Sequence, residues 1–265
     1  MISLKHCLNF RLFNEFWINC DFNLKMSILS TINPDFKKAA YINDYKYRIL
    51  DFTTSEGTQG KYLMLDPYIE LNKLFLNRYI TYQPFDLEKD YVTQIKKLIL
   101  QNKTALIGVD LFYWIPKSVC WQKHHWEHHS FLNGFDDEKK IFYVFDDDLN
   151  GYDMHEIPEQ RLITAVTNSS LLPKAYFMSI ADDIKPFYFQ LDDLLIHAKK
   201  IKTNIQSIDV KSLWILRNED VKEGHMLDLF AMFIFQISNR YYGNVMLFKK
   251  LYDLGILNDK ELSSS

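Results

Sequence analysis

A cysteine acts as a nucleophile only as the thiolate, and it needs a base to take its proton and a group to hold that base in place. Three residues could meet these needs. Cys7 stands at the head of an apolar pattern, His128 opens one strand-like run, and Asp146 closes the next. A helix N-terminus stabilises a thiolate through its free N–H groups and its dipole, and the pattern puts Cys7 at such a position. An aspartate beside His128 would fix the imidazole tautomer and stabilise the imidazolium. Each residue also has a plain reading. A lone Cys on a helix is more commonly core than catalyst, and Asp146-Asp147-Asp148 ahead of Asn150-Gly151 reads equally as the end of a strand at a turn.

The elements that must position these groups follow from periodicity. Leu8, Leu12 and Phe16, with Phe13 and Trp17, recur at spacings of three and four, which predicts an amphipathic helix from Cys7 to about Asn19. Runs 128–135 and 140–146, separated by Asp136-Asp137-Glu138-Lys139, predict a hairpin whose outer ends bring His128 and Asp146 side by side. Asn33-Pro34-Asp35 marks a turn, Tyr47 to Phe52 a short strand, and Tyr68 to Ile80 and Asp90 to Leu100 helices. The continuous apolar run from Thr104 to Tyr113 predicts a buried central strand. From Pro158 onward the pattern is helical, over 158–166, 190–206, about 225–242 and 245–254. The expected fold class is α+β, with a catalytic domain over 1–187 and a helical C-terminal extension over 188–265.

Composition narrows the function classes. Of 265 residues, 48% are hydrophobic and 25% charged, which suits a folded globular chain. The 31 basic and 34 acidic residues leave a formal charge of -3, with no basic run dense enough to track phosphates, so nucleic acid is not an expected partner. Three cysteines, at 7, 20 and 120, do not make the even framework of a secreted disulfide protein, and reduced thiols are expected. Arg11 and Glu15 interrupt any signal-peptide core. The apolar stretch 226–237 contains Asp228 and is shorter than the ~20 residues a membrane span requires. The expectation is a cytoplasmic protein with no membrane partner.

Other residues compete for the chemistry. His124, His125, His128 and His129 form two i,i+4 pairs and raise a divalent-metal site. The His-Glu-x-x-His order of zinc peptidases is absent and the segment reads as strand, so no metal is expected. On a strand His128 and His129 face opposite ways, and His129 is the base if the register slips by one. Cys20, read as the end of the first helix and followed by Asp21, is expected to be structural, since carboxylate and dipole both disfavour a thiolate there. Cys120 is a candidate for lining the site or ligating a metal. Trp114, Trp121 and Trp126, crowded before His128 with Phe112 and Tyr113, are the expected substrate-binding aromatics, with packing at a sheet edge as the alternative.

The residues Cys7-Leu8-Asn9, then His128-His129-Ser-Phe-Leu-Asn-Gly134-Phe-Asp136, then Phe142-Tyr-Val-Phe-Asp146, resemble the papain-like cysteine enzymes related to the N-terminal domain of butirosin biosynthesis protein H. The resemblance extends more distantly to the bacteriocin-processing peptidases that cut after double-glycine leaders. In both groups a Cys begins the first helix, a His stands six residues before Gly-(Tyr/Phe)-Asp, and an Asp closes the next strand. The likeness covers about residues 5–150.

It implies a papain-like fold, with Cys7 as nucleophile, His128 as general base and Asp146 as orienting acid. It also implies amide-forming acyl transfer, from a thioester on an acyl or peptidyl carrier protein to a small amine or diamine, as in thiotemplated antibiotic biosynthesis of the closthioamide type. No cofactor beyond the donor's own phosphopantetheine is implied. Papain-like peptidases carry a Gln six residues before the nucleophile as an oxyanion donor, and Met1 occupies that place relative to Cys7. A cysteine peptidase or thioesterase, a non-catalytic binding module and a metal-dependent hydrolase are the competing expectations.

Overall fold

The computed structural model describes residues 4–40, 45–53, 59–67, 77–185, 191–209, 224–253 and 255–258. In chain order the elements are β1 (Lys5–Cys7), α1 (Cys20–Ile32), α2 (Lys37–Ala40), β2 (Tyr45–Thr53), β3 (Gln59–Pro67), β4 (Ile80–Asp86), α3 (Tyr91–Leu100) and β5 (Thr104–Asp110). There follow β6 (Glu127–Asp136), β7 (Ile141–Asp148), β8 (Gly151–Pro158), α4 (Glu159–Thr167), β9 (Lys174–Ile180), α5 (Leu191–Gln206) and α6 (Gly224–Asp253). The class is α+β with an antiparallel sheet. Most of the helix expected over Tyr68 to Ile80 lies outside the described residues, and Asn77–Tyr79 forms a single turn before β4. Among the described residues no helix is long and apolar enough to cross a membrane.

The chain divides into two compact units, Met1–Pro34 with Lys73–Lys185, and Asp35–Asn72 with Pro186–Ser265. The change of unit at 185/186 lies beside the boundary expected at 187, and residues 35–72 join the C-terminal part in the second unit. The second unit takes 35–72 from within the span of the first and 186–265 from after it, and it contains the β2–β3 hairpin. A specific tie explains why the hairpin belongs there. Asn204 on α5 accepts from Tyr47 N at 2.7 Å and donates to Tyr47 O at 2.9 Å, so its amide completes the hydrogen bonding of β2 on the edge away from β3.

The first unit is built on a seven-stranded sheet in the order β4-β9-β5-β6-β7-β8, with β1 also paired to β6. Every residue of β5 is buried, as its unbroken apolar run requires of a strand covered on both faces. The strand ends where Asp110 caps the short turn Leu111–Tyr113, by accepting from Phe112 N, which shortens the strand expected to reach Tyr113. β4, β8 and β9 carry no strong period-two signal and are additions to the sequence reading. β9 lies between β4 and β5 in a region expected to be helical.

The largest departure is at the start of the chain. Residues 8–19 are not a helix. Leu8, Phe13, Phe16, Trp17 and Ile18 are all buried, but along an irregular extended segment rather than on one helical face. The backbone N–H groups of Arg11, Phe13 and Ile18 are taken by the side chains of Thr31, Ser27 and Asn23, which lie four residues apart on α1. Asn23 also donates to the carbonyls of Phe13 and Phe16. Local residues of modest helix propensity (Asn, Phe, Trp) offered little resistance to this exchange.

α1 begins at Cys20 because Asn19 is a true N-cap: its φ is -167°, and its side chain accepts from Phe22 N at 2.9 Å. Asp21 in the first turn suits the dipole, and Pro34 follows the last turn. Residues Phe22 to Ser30 are buried on every side, so α1 is a central helix rather than an amphipathic surface one.

Candidate active site

Cys7 lies on β1, an edge strand, and is exposed. Its partner across the ladder is Gly134, six residues further along β6 than His128, ~20 Å away at the rise of a strand. The close approach of β1 needs that glycine: a Cβ there would come within 2.5 Å of His6 O and 2.8 Å of Cys7 Sγ. The structure therefore does not bring Cys7 together with His128 and Asp146, nor place it at a helix start.

It brings Cys20 there instead. One donor atom from each of Cys20, His128, Asp146 and Asp147 lies within 4.8 Å of the others. Cys20 reaches the cluster as the first residue of α1, and His128 and Asp146 arrive at neighbouring ends of β6 and β7, as the hairpin predicts. His128 Nε2 donates to Asp146 Oδ1 at 3.0 Å. That leaves Nδ1 as the ring nitrogen free for proton exchange. Cys20, expected to be structural at the end of a helix, is at the beginning of one, and the sign of the dipole argument reverses. The signal in the sequence was the cap itself, Asn19 before Cys20-Asp21.

Asp146 is held more firmly than any other group in the cluster. Its side chain is 1% exposed. Oδ1 accepts from His128 Nε2 and from Asp147 N at 2.9 Å, while Oδ2 accepts from Trp114 Nε1 at 2.9 Å and Ser130 Oγ at 2.6 Å. A carboxylate offers about four lone-pair sites, and all four are used. The four donor types could otherwise suit a divalent cation, but Asp146 has no lone pair left to give one. The cluster reads as a hydrogen-bonded acid–base array.

Electrostatics follow from the same contacts. Burial alone would lower the pKa of His128, but the hydrogen-bonded Asp146 carboxylate and nearby Asp147 outweigh it and raise the group to about 9. Burial would raise Asp146, and the His128 charge with the bonds from His128, Ser130 and Asp147 N holds it below the usual carboxylate range. Asp147 is raised to about 6, by burial first and then by the Asp146 charge. Cys20 donates to Asp147 Oδ1 at 2.7 Å, and burial with the two carboxylates pushes its thiol up.

The expected aromatic contacts are redistributed. Trp114 is wholly buried, and its indole N–H also meets Ser130 Oγ at 3.0 Å, so it supports Asp146 rather than touching substrate. Trp121 lies under the Arg161 guanidinium at 4.9 Å, and Trp126 is exposed. None of the three lines the cavity of about 430 Å³ beside Cys20 and His128. Its apolar lining comes from Leu24, Leu106, Phe131, Phe145, Tyr152 and Tyr176.

The histidine cluster also disperses. His125 pairs with Asp110 at 2.6 Å and stacks on Phe112, while His129 lies in the cavity wall against Tyr176. Cys120 sits in the loop between β5 and β6, outside the group of closely spaced donors. Compared with known proteins, the chain matches no protein-family model, and no curated protein is significantly similar to it.

Proposed function

We propose that the chain is a cysteine-nucleophile acyltransferase of papain-like fold, in which Cys20 is the nucleophile, His128 the acid–base group and Asp146 the residue that orients it. The observation that carries this reading is a thiol at the first position of a capped helix, within 4.8 Å of a nitrogen of the imidazole whose Nε2 is held by a buried carboxylate. Moving the nucleophile from Cys7 to Cys20 gives up the Cys7-Leu8-Asn9 part of the resemblance to the butirosin-related enzymes and keeps the order of a helix-start Cys, a His and an Asp. Cys20 begins α1, the first helix among the described residues, and the His128 and Asp146 half is unchanged.

In this reading Cys20 passes its proton to the Asp147 carboxylate it already bonds, the thiolate attacks the carbonyl carbon of a thioester, and the departing sulfur takes a proton from the His128 imidazolium. An amine then attacks the acyl-enzyme, His128 accepts the amine's proton, and Cys20 leaves as thiolate. The Asp146 charge stabilises the imidazolium that is present before the first step and restored by the second. The backbone N–H of Cys20 at the helix start is suited to hold the developing oxyanion. Asn14, six residues before Cys20, carries an amide where papain-like peptidases carry Gln.

The donor is a carrier-protein thioester and the acceptor a small amine or diamine, as the resemblance implies, in a cytoplasmic biosynthetic role. Water in place of the amine would make the same site a thioesterase or peptidase. The test is intact-protein mass after incubation with acyl-pantetheine thioesters, followed by addition of a diamine. Wild type and Cys7→Ala should both gain the acyl mass and release it as amide, and Cys20→Ala should gain none. An adduct on Cys20→Ala but not on Cys7→Ala would return the nucleophile to Cys7, and release by water alone would make the enzyme a hydrolase.

A further inference from the structure

Any acyl group carried on Cys20 must occupy space next to its sulfur, and the cavity there has a definite grain. The register of the sheet places Phe145 opposite Phe131, Phe131 opposite Leu106, and Leu106 opposite Tyr176. Partners directly across a ladder point to the same face, so these four side chains form one row across β7, β6, β5 and β9. All four line the cavity. Three strand spacings make the row roughly 14 Å long. Above it, Cys20 and Leu24 are one helical turn apart on α1 and share a face, which both turn to the cavity. The row starts at Phe145, two residues from the Asp147 that holds the Cys20 thiol, and ends at Tyr176, whose ring meets Tyr82 at 6.4 Å.

The row itself carries no ionisable group but the Tyr176 phenol. Beside His128, whose charge is paired with Asp146, and His129, which lies against Tyr176, two carboxylates border the cavity, Asp21 and Glu127. Both are engaged by the protein's own donors: Asp21 by Lys25 Nζ at 2.8 Å and by the Tyr82 hydroxyl, Glu127 by Ser169 Oγ and by Ser170 N at 2.8 Å. Neither is set up for a cationic ligand. A volume of about 430 Å³ lies within the usual range for small-molecule sites.

We infer that this cavity is the acyl-chain site of the enzyme, and that it takes an extended, uncharged acyl group lying across the strands from Phe145 to Tyr176. The assignment rests on the acyl-transfer reading for its chemistry, but the cavity's preference for an apolar chain can be measured without turnover. Leu106 sits near the middle of the row and sets whether a chain can pass, while Tyr176 closes the far end and sets its length.

The experiment compares acetyl-, hexanoyl- and decanoyl-pantetheine on wild type, Leu106→Trp and Tyr176→Ala, reading the rate of adduct formation on Cys20 by mass. In wild type the rate at limiting donor should rise at least roughly tenfold from acetyl to hexanoyl, given the transfer energy of each buried methylene. Leu106→Trp should lower the hexanoyl rate far more than the acetyl rate and so lose the rise, and Tyr176→Ala should shift the preference toward decanoyl. Iodoacetamide labelling of Cys20 at the wild-type rate certifies that each variant is folded.

Calorimetric binding of the same thioesters to Cys20→Ala is the second readout. Length-dependent binding that Leu106→Trp abolishes, without any adduct on wild type, would uphold the chain site and sink acyl transfer. Equal rates and equal binding at all three lengths, or equal losses for all lengths in Leu106→Trp, would overturn the site.

Discussion

Cys20 donates its thiol proton to the Oδ1 atom of Asp147 at 2.7 Å. The nucleophile of the proposed reaction therefore rests as a neutral thiol against a half-buried carboxylate, while His128 beside it carries the positive charge that two carboxylates stabilise. A thiolate in that position would face Asp147 at hydrogen-bond range, and burial adds to the penalty.

Asp147→Asn should release the thiol. Removing the anion and offering an amide N–H in its place favours the thiolate, so the apparent pKa of Cys20 should fall. A fall of about one unit corresponds to a roughly tenfold rise in iodoacetamide labelling rate at a pH below the thiol pKa. A labelling profile that is unchanged, or moves to higher pH, would show that Asp147 does not restrain the sulfur.

Stability should depend on pH through the His128–Asp146 pair. The folded pKa of His128, about 9, is above its ordinary 6.5, so the native state holds the proton more tightly. The pair's contribution is thus complete below about 6.5 and is lost as pH rises through about 9. Asp146 is shifted down, and its contribution is lost at the acid end, as pH falls through its lowered pKa. Urea midpoints for wild type and His128→Gln should differ most near pH 6 and converge above pH ~9.5. A gap that does not narrow would mean the imidazolium contributes nothing.

Trp114→Phe removes the indole N–H shared by Asp146 Oδ2 and Ser130 Oγ. Losing a donor to a buried charged group costs on the order of 1–3 kcal/mol. The variant should unfold at lower urea. As Trp114 is a positioning residue, the substitution should also move the basic limb of the pH–rate profile, since a less restrained Asp146 holds His128 less well. Lowered stability with an unmoved profile would leave Trp114 a packing residue only.

Gly134→Ala tests the separation of β1 from the site. The added methyl would meet His6 O and Cys7 Sγ at under 3 Å, so β1 must shift. A loss of about 1–3 kcal/mol in unfolding free energy is expected, with labelling of Cys20 unaltered. A matching loss of Cys20 reactivity would tie β1 to the catalytic geometry.

The hairpin was legible because its determinants are local. Alternating and apolar runs either side of Asp136–Lys139 specify two strands and their turn, and that alone places His128 beside Asp146. The buried β5, the helix from Tyr91 capped by Asp90, and α5 were likewise carried by periodicity and turn chemistry.

Which cysteine lies beside His128 depends on contacts that apolar spacing does not encode. Residues 8–19 have helical spacing, yet their backbone is tied to Asn23, Ser27 and Thr31, which in sequence resemble the polar stripe of a surface helix. Because those side chains face a buried segment, the helix starts at Cys20, thirteen residues after Cys7. The Asn19 cap was a local signal for that start, but the apolar spacing before it outweighed it. Whether spacing of three and four means a helix depends on which partner satisfies the backbone N–H groups, and here that partner is the next element of the chain.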